Sequence, residues 1–180
     1  MDAKSLKGIA VVSIDEGEKV GTVDDTIFDL EKKKVTAFRL ARSGVFRSER
    51  NFITMDDVYS IGPDAVMIQN REKLHRTKSK YDYSGNPGLS QLTSLRVVTE
   101  DGAYVGNLAT IHFDRKSGII TEFDVSGESI FSVLRRNKEI PANHIVSIGN
   151  DVLVVPNSYA DTDDHDTIKI PERVDPPKEG

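Results

Sequence analysis

The 180-residue chain contains no cysteine and no tryptophan. Without cysteine there are no disulfide staples, thiolate metal sites or thiol nucleophiles, and each fold unit has to rely on apolar burial. Long apolar runs are missing as well. The run from Ile9 to Ile14 is closed by Asp15 and Glu16, too brief and too acidic at its end for a signal peptide. No run approaches the roughly 18 apolar residues that cross a bilayer, and the expected location is the cytoplasm, with no membrane span. Positive charge is in short supply: 24 Lys and Arg stand against 29 Asp and Glu, a formal net charge of −5. A protein that embraces nucleic acid over its whole surface needs the opposite balance, which leaves room only for a local basic patch. There is no Walker pattern, no dinucleotide fingerprint in the glycines of "SGNPGLS", and no Gly-x-Ser-x-Gly elbow.

What is present is said twice. "EKVGTVDDTIFD" (Glu18 to Asp29) returns as "AYVGNLATIHFD" (Ala103 to Asp114). Moving 85 positions along, from Gly17 to Gly102, also pairs Val20 with Val105, Gly21 with Gly106, Phe28 with Phe113, Thr36 with Thr121, Phe38 with Phe123 and Phe46 with Phe131. After a short insertion, "ITMDDVYSIGPDAVMI" (Ile53 to Ile68) lies on "IPANHIVSIGNDVLVV" (Ile140 to Val155). Repetition at this density reads as two copies of one fold unit.

Each copy reads as strands. "TAFRLA" puts Phe38 and Leu40 on one face and Arg39 on the other, and Phe123 and Val125 stand likewise against Asp124, the period-2 pattern of a half-buried strand. Turns such as "DLEKKK" and "DRKSG", the latter with Gly118, separate the runs. No segment carries a long apolar stripe at helical spacing. The expected fold is therefore all-β, with two tandem small barrels of about six strands each. The expected divisions are a first barrel over 1–70, a polar linker over 71–89, a second barrel over 90–156 and an acidic, irregular tail over 157–180. The linker is short enough for the barrels to dock, and docking would stabilise units of this size. Within the opening stretch Val20 and Val23 lie three apart, as do Val105 and Leu108. The phase change at Gly21 and Gly106 predicts a bulge or bend that lets a short strand curl.

"GEKVGTVDDTIFDLEKKKVTAFRL" followed by "NFITMDDVYSIGPDAVMI" resembles a PRC-barrel domain, the small β-barrel named after the cytoplasmic part of the photosynthetic reaction-centre H subunit. The second copy fits the closing segment better, with Ile140-Pro141 where the first has Ile53-Thr54. The resemblance implies a tandem PRC-barrel protein and a non-catalytic adaptor that works through protein partners. In a bacterial ribosome maturation factor, a barrel of this type binds a small-subunit ribosomal protein. The family has no shared catalytic motif to carry across, and fold alone does not assign a role.

Chemistry-bearing residues are scattered. His75, His112, His144 and His165 fall in different segments without ligand spacing, so no metal or other cofactor is expected. In the tail, Asp161, Asp163 and Glu172 partly match a calcium loop, but His165 and Asp166 stand where a ligand and the glycine belong. Asp24-Asp25 and Asp56-Asp57 are neighbours on strands, which send side chains to opposite faces and make no ready acid/base couple. The candidate binding residues are basic: Arg71, Lys73, Arg76, Lys78 and Lys80 in the linker, and Arg47, Arg50, Arg135, Arg136 and Lys138 in the barrel loops. They suit an acidic partner surface or, in a second reading, ribosomal RNA phosphates. A homodimer is left open.

Overall fold

The computed structural model describes residues 1–42, 50–77, 85–93, 95–127, 137–149 and 151–160. The first copy contributes β1 (Ala10–Ser13), β2 (Glu18–Asp29), β3 (Lys34–Leu40), β4 (Arg50–Thr54), β5 (Val58–Ile61), β6 (Ala65–Ile68) and β7 (His75–Thr77). The second contributes β8 (Arg96–Thr99), β9 (Tyr104–Phe113), β10 (Ile120–Ser126), β11 (Lys138–Pro141), β12 (Ser147–Ile148) and β13 (Val152–Val155). One helical turn, α1 (Leu89–Leu92), precedes β8. The strand orders are β5-β6-β1-β2-β3-β4-β7 and β11-β10-β9-β8-β13-β12. The expected all-β architecture of two barrel-like units is present. Among the described residues, β7 has no counterpart in the second unit. It comes from residues that read as linker, and it pairs with β4, placing His75 opposite Phe52.

The phase change in the opening stretch is a bulge repeated in both copies. Val11 pairs with Gly21 and Val12 with Lys19, skipping Val20; Val97 pairs with Gly106 and Val98 with Tyr104, skipping Val105. An extra residue on one strand bends it and increases its twist. Here the bend lets β2 pair with β1 through its first half and β3 through its second. The two glycines are under different constraints. Gly106 has φ +154, and a Cβ there would run into the Ser126 carbonyl; at Gly21 a Cβ would meet only the end of the Leu40 side chain, at 2.7 Å.

The copies are related by an internal two-fold axis. Lys34 and Ile119 form an isolated antiparallel bridge. They hold the same place in the repeat, and a residue that pairs with its own counterpart lies on a dyad. The flanking hydrogen bonds obey that axis: Val35 N–H donates to Gly118 O and Ile120 N–H to Lys33 O, both at 2.8 Å. Each barrel also receives the segment that precedes the other. Asp2 bridges to His112 of β9, and Gly88 to Ile27 of β2. Phe113 N–H donates to Met1 O at 2.9 Å and Phe28 N–H to Pro87 O at 3.0 Å. These exchanged arms carry Leu6 and Leu92 into a single apolar core that also holds Phe28 and Phe38 of one barrel and Phe113 and Phe123 of the other. Sharing one core answers the size problem, since a unit of this length alone buries only about 60% of its unfolded surface.

Candidate functional site

The arms and the bent strands enclose a cleft of about 730 Å³ across the dyad, within the roughly 300–1,000 Å³ usual for binding sites. One arm presents Lys4 and Lys7 to it, and the other presents Ser90 and Thr93. Between them lie Asp24, Asp25 and Thr26 of β2 and Asn107 and Leu108 of β9, with Ser126 and Asn137 at the rim. The rim residues flank the long connection between β10 and β11, and Arg42, after β3, lines a smaller cleft beside Asp24 and Arg39. Both clefts thus open beside the places where the basic barrel loops leave the sheets.

Arg39 reaches both neighbouring carboxylates, Nε to Asp24 Oδ2 at 3.1 Å and an Nη to Asp25 Oδ2 at 2.9 Å. Strand alternation alone would send these carboxylates to opposite faces. The β2–β3 register shifts between Val23 and Asp25, and this second irregularity brings both onto one guanidinium. Asp25 is buried, and it also accepts from Ser90 N–H at 3.2 Å and from the Ser90 hydroxyl. Gly88 leaves room for that carboxylate, since a Cβ there would collide with it. In the second copy Thr110 stands at the Asp25 position, and the carboxylate comes from the arm instead: Asp2 accepts from Lys4 N–H at 2.8 Å and from the Thr110 hydroxyl. Thr26 Oγ1, beside the cleft, is buried without a hydrogen-bond partner among the described residues.

Five of the basic residues singled out from sequence lie among the described residues. Arg71 pairs with Glu18, and Lys73 Nζ lies 3.5 Å from Asp57 Oδ1. Arg76 pairs through its backbone with Asn51 on β4, and Lys138 Nζ donates to Tyr159 O at 3.0 Å. Arg50 is placed by its backbone in β4. Arg47, Lys78, Lys80, Arg135 and Arg136 lie outside the described residues, as do Asp161, Asp163, His165, Asp166 and Glu172 of the calcium-like stretch. Sequence reasoning passed over Lys4 and Lys7. The signal that would have found them is the repeat itself, since Lys4, Leu6 and Lys7 recur 86 positions on as Ser90, Leu92 and Thr93.

Three histidines are placed, each in a different setting. His75 Nε2 lies 2.7 Å from Asp57 Oδ2, with its ring stacked 5.2 Å from that of Phe52. His112 Nε2 lies 3.1 Å from Asp124 Oδ2, and His144 Nδ1 lies 2.6 Å from the Tyr159 hydroxyl. Burial pulls the Asp57 carboxyl upward, but hydrogen bonds from Thr54 and His75 outweigh it, and its pKa ends below the ordinary value. No group of three or more metal-ligating side chains occurs among the described residues, and no helix among them is long and apolar enough to cross a membrane.

A search of curated proteins returns no match. The family model of the PRC-barrel domain matches twice, over residues 1–75 and 88–161. The first span ends at His75, the first residue of β7, and the second begins one residue before α1. The chain belongs to the PRC-barrel domain family, with two copies of the domain in tandem.

Proposed function

We propose that this protein is a non-catalytic binding module that holds a protein partner at the dyad cleft and the barrel loops bordering it. PRC-barrel domains are in general non-catalytic interaction modules. The observation that carries the reading for this chain is the cleft itself, built jointly by both barrels and both arms and lined by charged and amide side chains around an apolar floor. Among the described residues, the buried Asp25 takes its contacts from Arg39 and Ser90 of the fold itself. Arg47 and Arg50, with Arg135, Arg136 and Lys138, are proposed as the basic border that meets an acidic partner surface. The barrel divisions at 1–70 and 90–156 are the units of this reading, with 71–89 joining them and 157–180 as an acidic tail.

The alternative is a ribosome- or RNA-associated factor using Arg71, Lys73, Arg76, Lys78 and Lys80. The intramolecular carboxylates at Arg71 and Lys73 weigh against it. The test is a photo-crosslinking residue in place of Asn107 in the cleft, with one in place of Asp64 on a distant hairpin as control. Protein adducts at 107 and not at 64, unchanged by nuclease, are expected. RNA adducts, or equal labelling at both positions, would overturn the reading.

A further inference from the structure

We propose that β11 of the second barrel takes an extended segment of a partner protein as an added strand, with a basic side chain opposite Glu139. This surface is additional to the dyad cleft. The first barrel shows how such a strand fits, since β4 takes β7 along the edge away from β3 over three pairs: Arg50 with Thr77, Asn51 with Arg76 and Phe52 with His75. Ile53 pairs with Phe38 in one copy and Ile140 with Phe123 in the other, so the places of Arg50, Asn51 and Phe52 fall to Asn137, Lys138 and Glu139. Among the described residues β11 is the last strand of its sheet. Main-chain groups at such an edge hold a further strand, and the side chains alternating along it decide which strand is accepted.

The deciding side chains here are acidic. Glu139 is exposed and lies opposite Asp124 of β10, and Glu122 shares the face of Asp124, two residues earlier. Among the described residues on this face the basic group is His112, whose Nε2 lies 3.1 Å from Asp124 Oδ2. Lys138 belongs to the other face by strand alternation, and its Nζ donates to Tyr159 O. Unlike charges set opposite each other across a ladder stabilise it, and like charges destabilise it. Two nearer occupants are thereby disfavoured. In the first copy His75 follows the 3₁₀ turn Arg71–Lys73 by two residues, and in the second the turn Asn157–Tyr159 is followed at that distance by Asp161. The chain's own next residues would set a carboxylate opposite Glu139. The β11 of a second copy brings its own Glu139. A basic strand meets neither penalty.

The probe is a short synthetic peptide alternating threonine and lysine, and its control carries glutamate in place of each lysine. Binding to the full chain is read by NMR shifts of the Glu122, Asp124 and Glu139 amides. The lysine peptide is expected to shift these amides, to bind at least about tenfold more tightly than the glutamate peptide, and to weaken as salt rises. Glu139→Lys should reduce its affinity severalfold and admit the glutamate peptide instead, with an unchanged urea midpoint because the position is exposed. The proposal is overturned if the lysine peptide leaves these amides unmoved, if both peptides bind alike, or if Glu139→Lys binds the lysine peptide as the wild type does. Truncation after Ala160 tests the chain's own tail as the occupant. Faster amide exchange across β11 in the truncated chain would assign the edge to the tail and overturn the proposal, whereas unchanged exchange supports it. Crosslinking at position 107 reports on the cleft alone, so the failure of either reading leaves the other standing.

Discussion

On the outer face of the first barrel stand Ile27, Ala37 and Phe52, a small buried apolar cluster; at the matching places of the second stand His112, Glu122 and Glu139. Both faces belong to the same strands in the same register, so backbone geometry does not distinguish them. Side-chain polarity does, and it decides what each face acquires. Phe52 is covered by β7, whose His75 stacks on its ring. In the second barrel Glu122 lies opposite His112 across the strands, and Asp124 Oδ2 lies 3.1 Å from the histidine's Nε2. One fold unit used twice has thus become two different surfaces, one apolar and covered, one charged. The dyad cleft shows the same divergence, with Lys4 and Lys7 on one arm and Ser90 and Thr93 on the other.

Variants at matched positions test how far this divergence goes. The largest effect is expected where a buried charge loses its partner. Arg39→Met leaves the buried Asp25 carboxylate without its guanidinium and should cost about 3–5 kcal/mol in urea unfolding. The matched change, Asp124→Asn, should cost within about 1 kcal/mol, because Asp124 Oδ1 already has no partner among the described residues. Equal losses would show that the two positions carry the same load. Next come the bulge glycines. Gly106→Ala forces a side chain into a backbone conformation with φ +154 and into a neighbouring carbonyl, an expected loss of about 3 kcal/mol. Gly21→Ala has only to displace the end of Leu40 and should lose about 1 kcal/mol.

The smallest effect belongs to the contact that holds β7. Asp57→Asn should cost about 1 kcal/mol at neutral pH and raise amide exchange in β7 with no change in β11. The sign with pH follows from the lowered Asp57 pKa. Stability from a carboxylate with a depressed folded pKa is complete above its unfolded value, near about 4, and is lost as pH falls through the folded one. The wild type should therefore lose more stability than Asp57→Asn between neutral pH and acid.

The parts of the fold readable from sequence were those written in local spacing. Val20 and Val23, three apart beside Gly21, mark a bulge because a strand cannot otherwise turn both inward, and the same spacing at Val105 and Leu108 confirms it. Gly118 marks the hairpin turn, with φ +72, although Lys33 takes the same left-handed corner in the first copy at φ 49. What spacing could not show was pairing across the dyad. Nothing local to Lys34 indicates that it bridges to Ile119, since that contact depends on how two finished barrels meet. Asp24 and Asp25 were misleading for the opposite reason: alternation separates them unless the register slips, and it slips there. The cleft was missed because the repeat is strongest from Gly17 onward, whereas the residues that line the cleft from the arms come before it.

The two barrels form one body about an internal dyad, with exchanged arms and a shared core. A protease site placed between Lys78 and Ser84 and then cleaved tests it most directly. The nicked halves are expected to co-elute at the mass of the intact chain and to unfold in urea in a single transition followed equally by probes in either barrel. Halves that separate on the column, or two transitions each confined to one barrel, would contradict it.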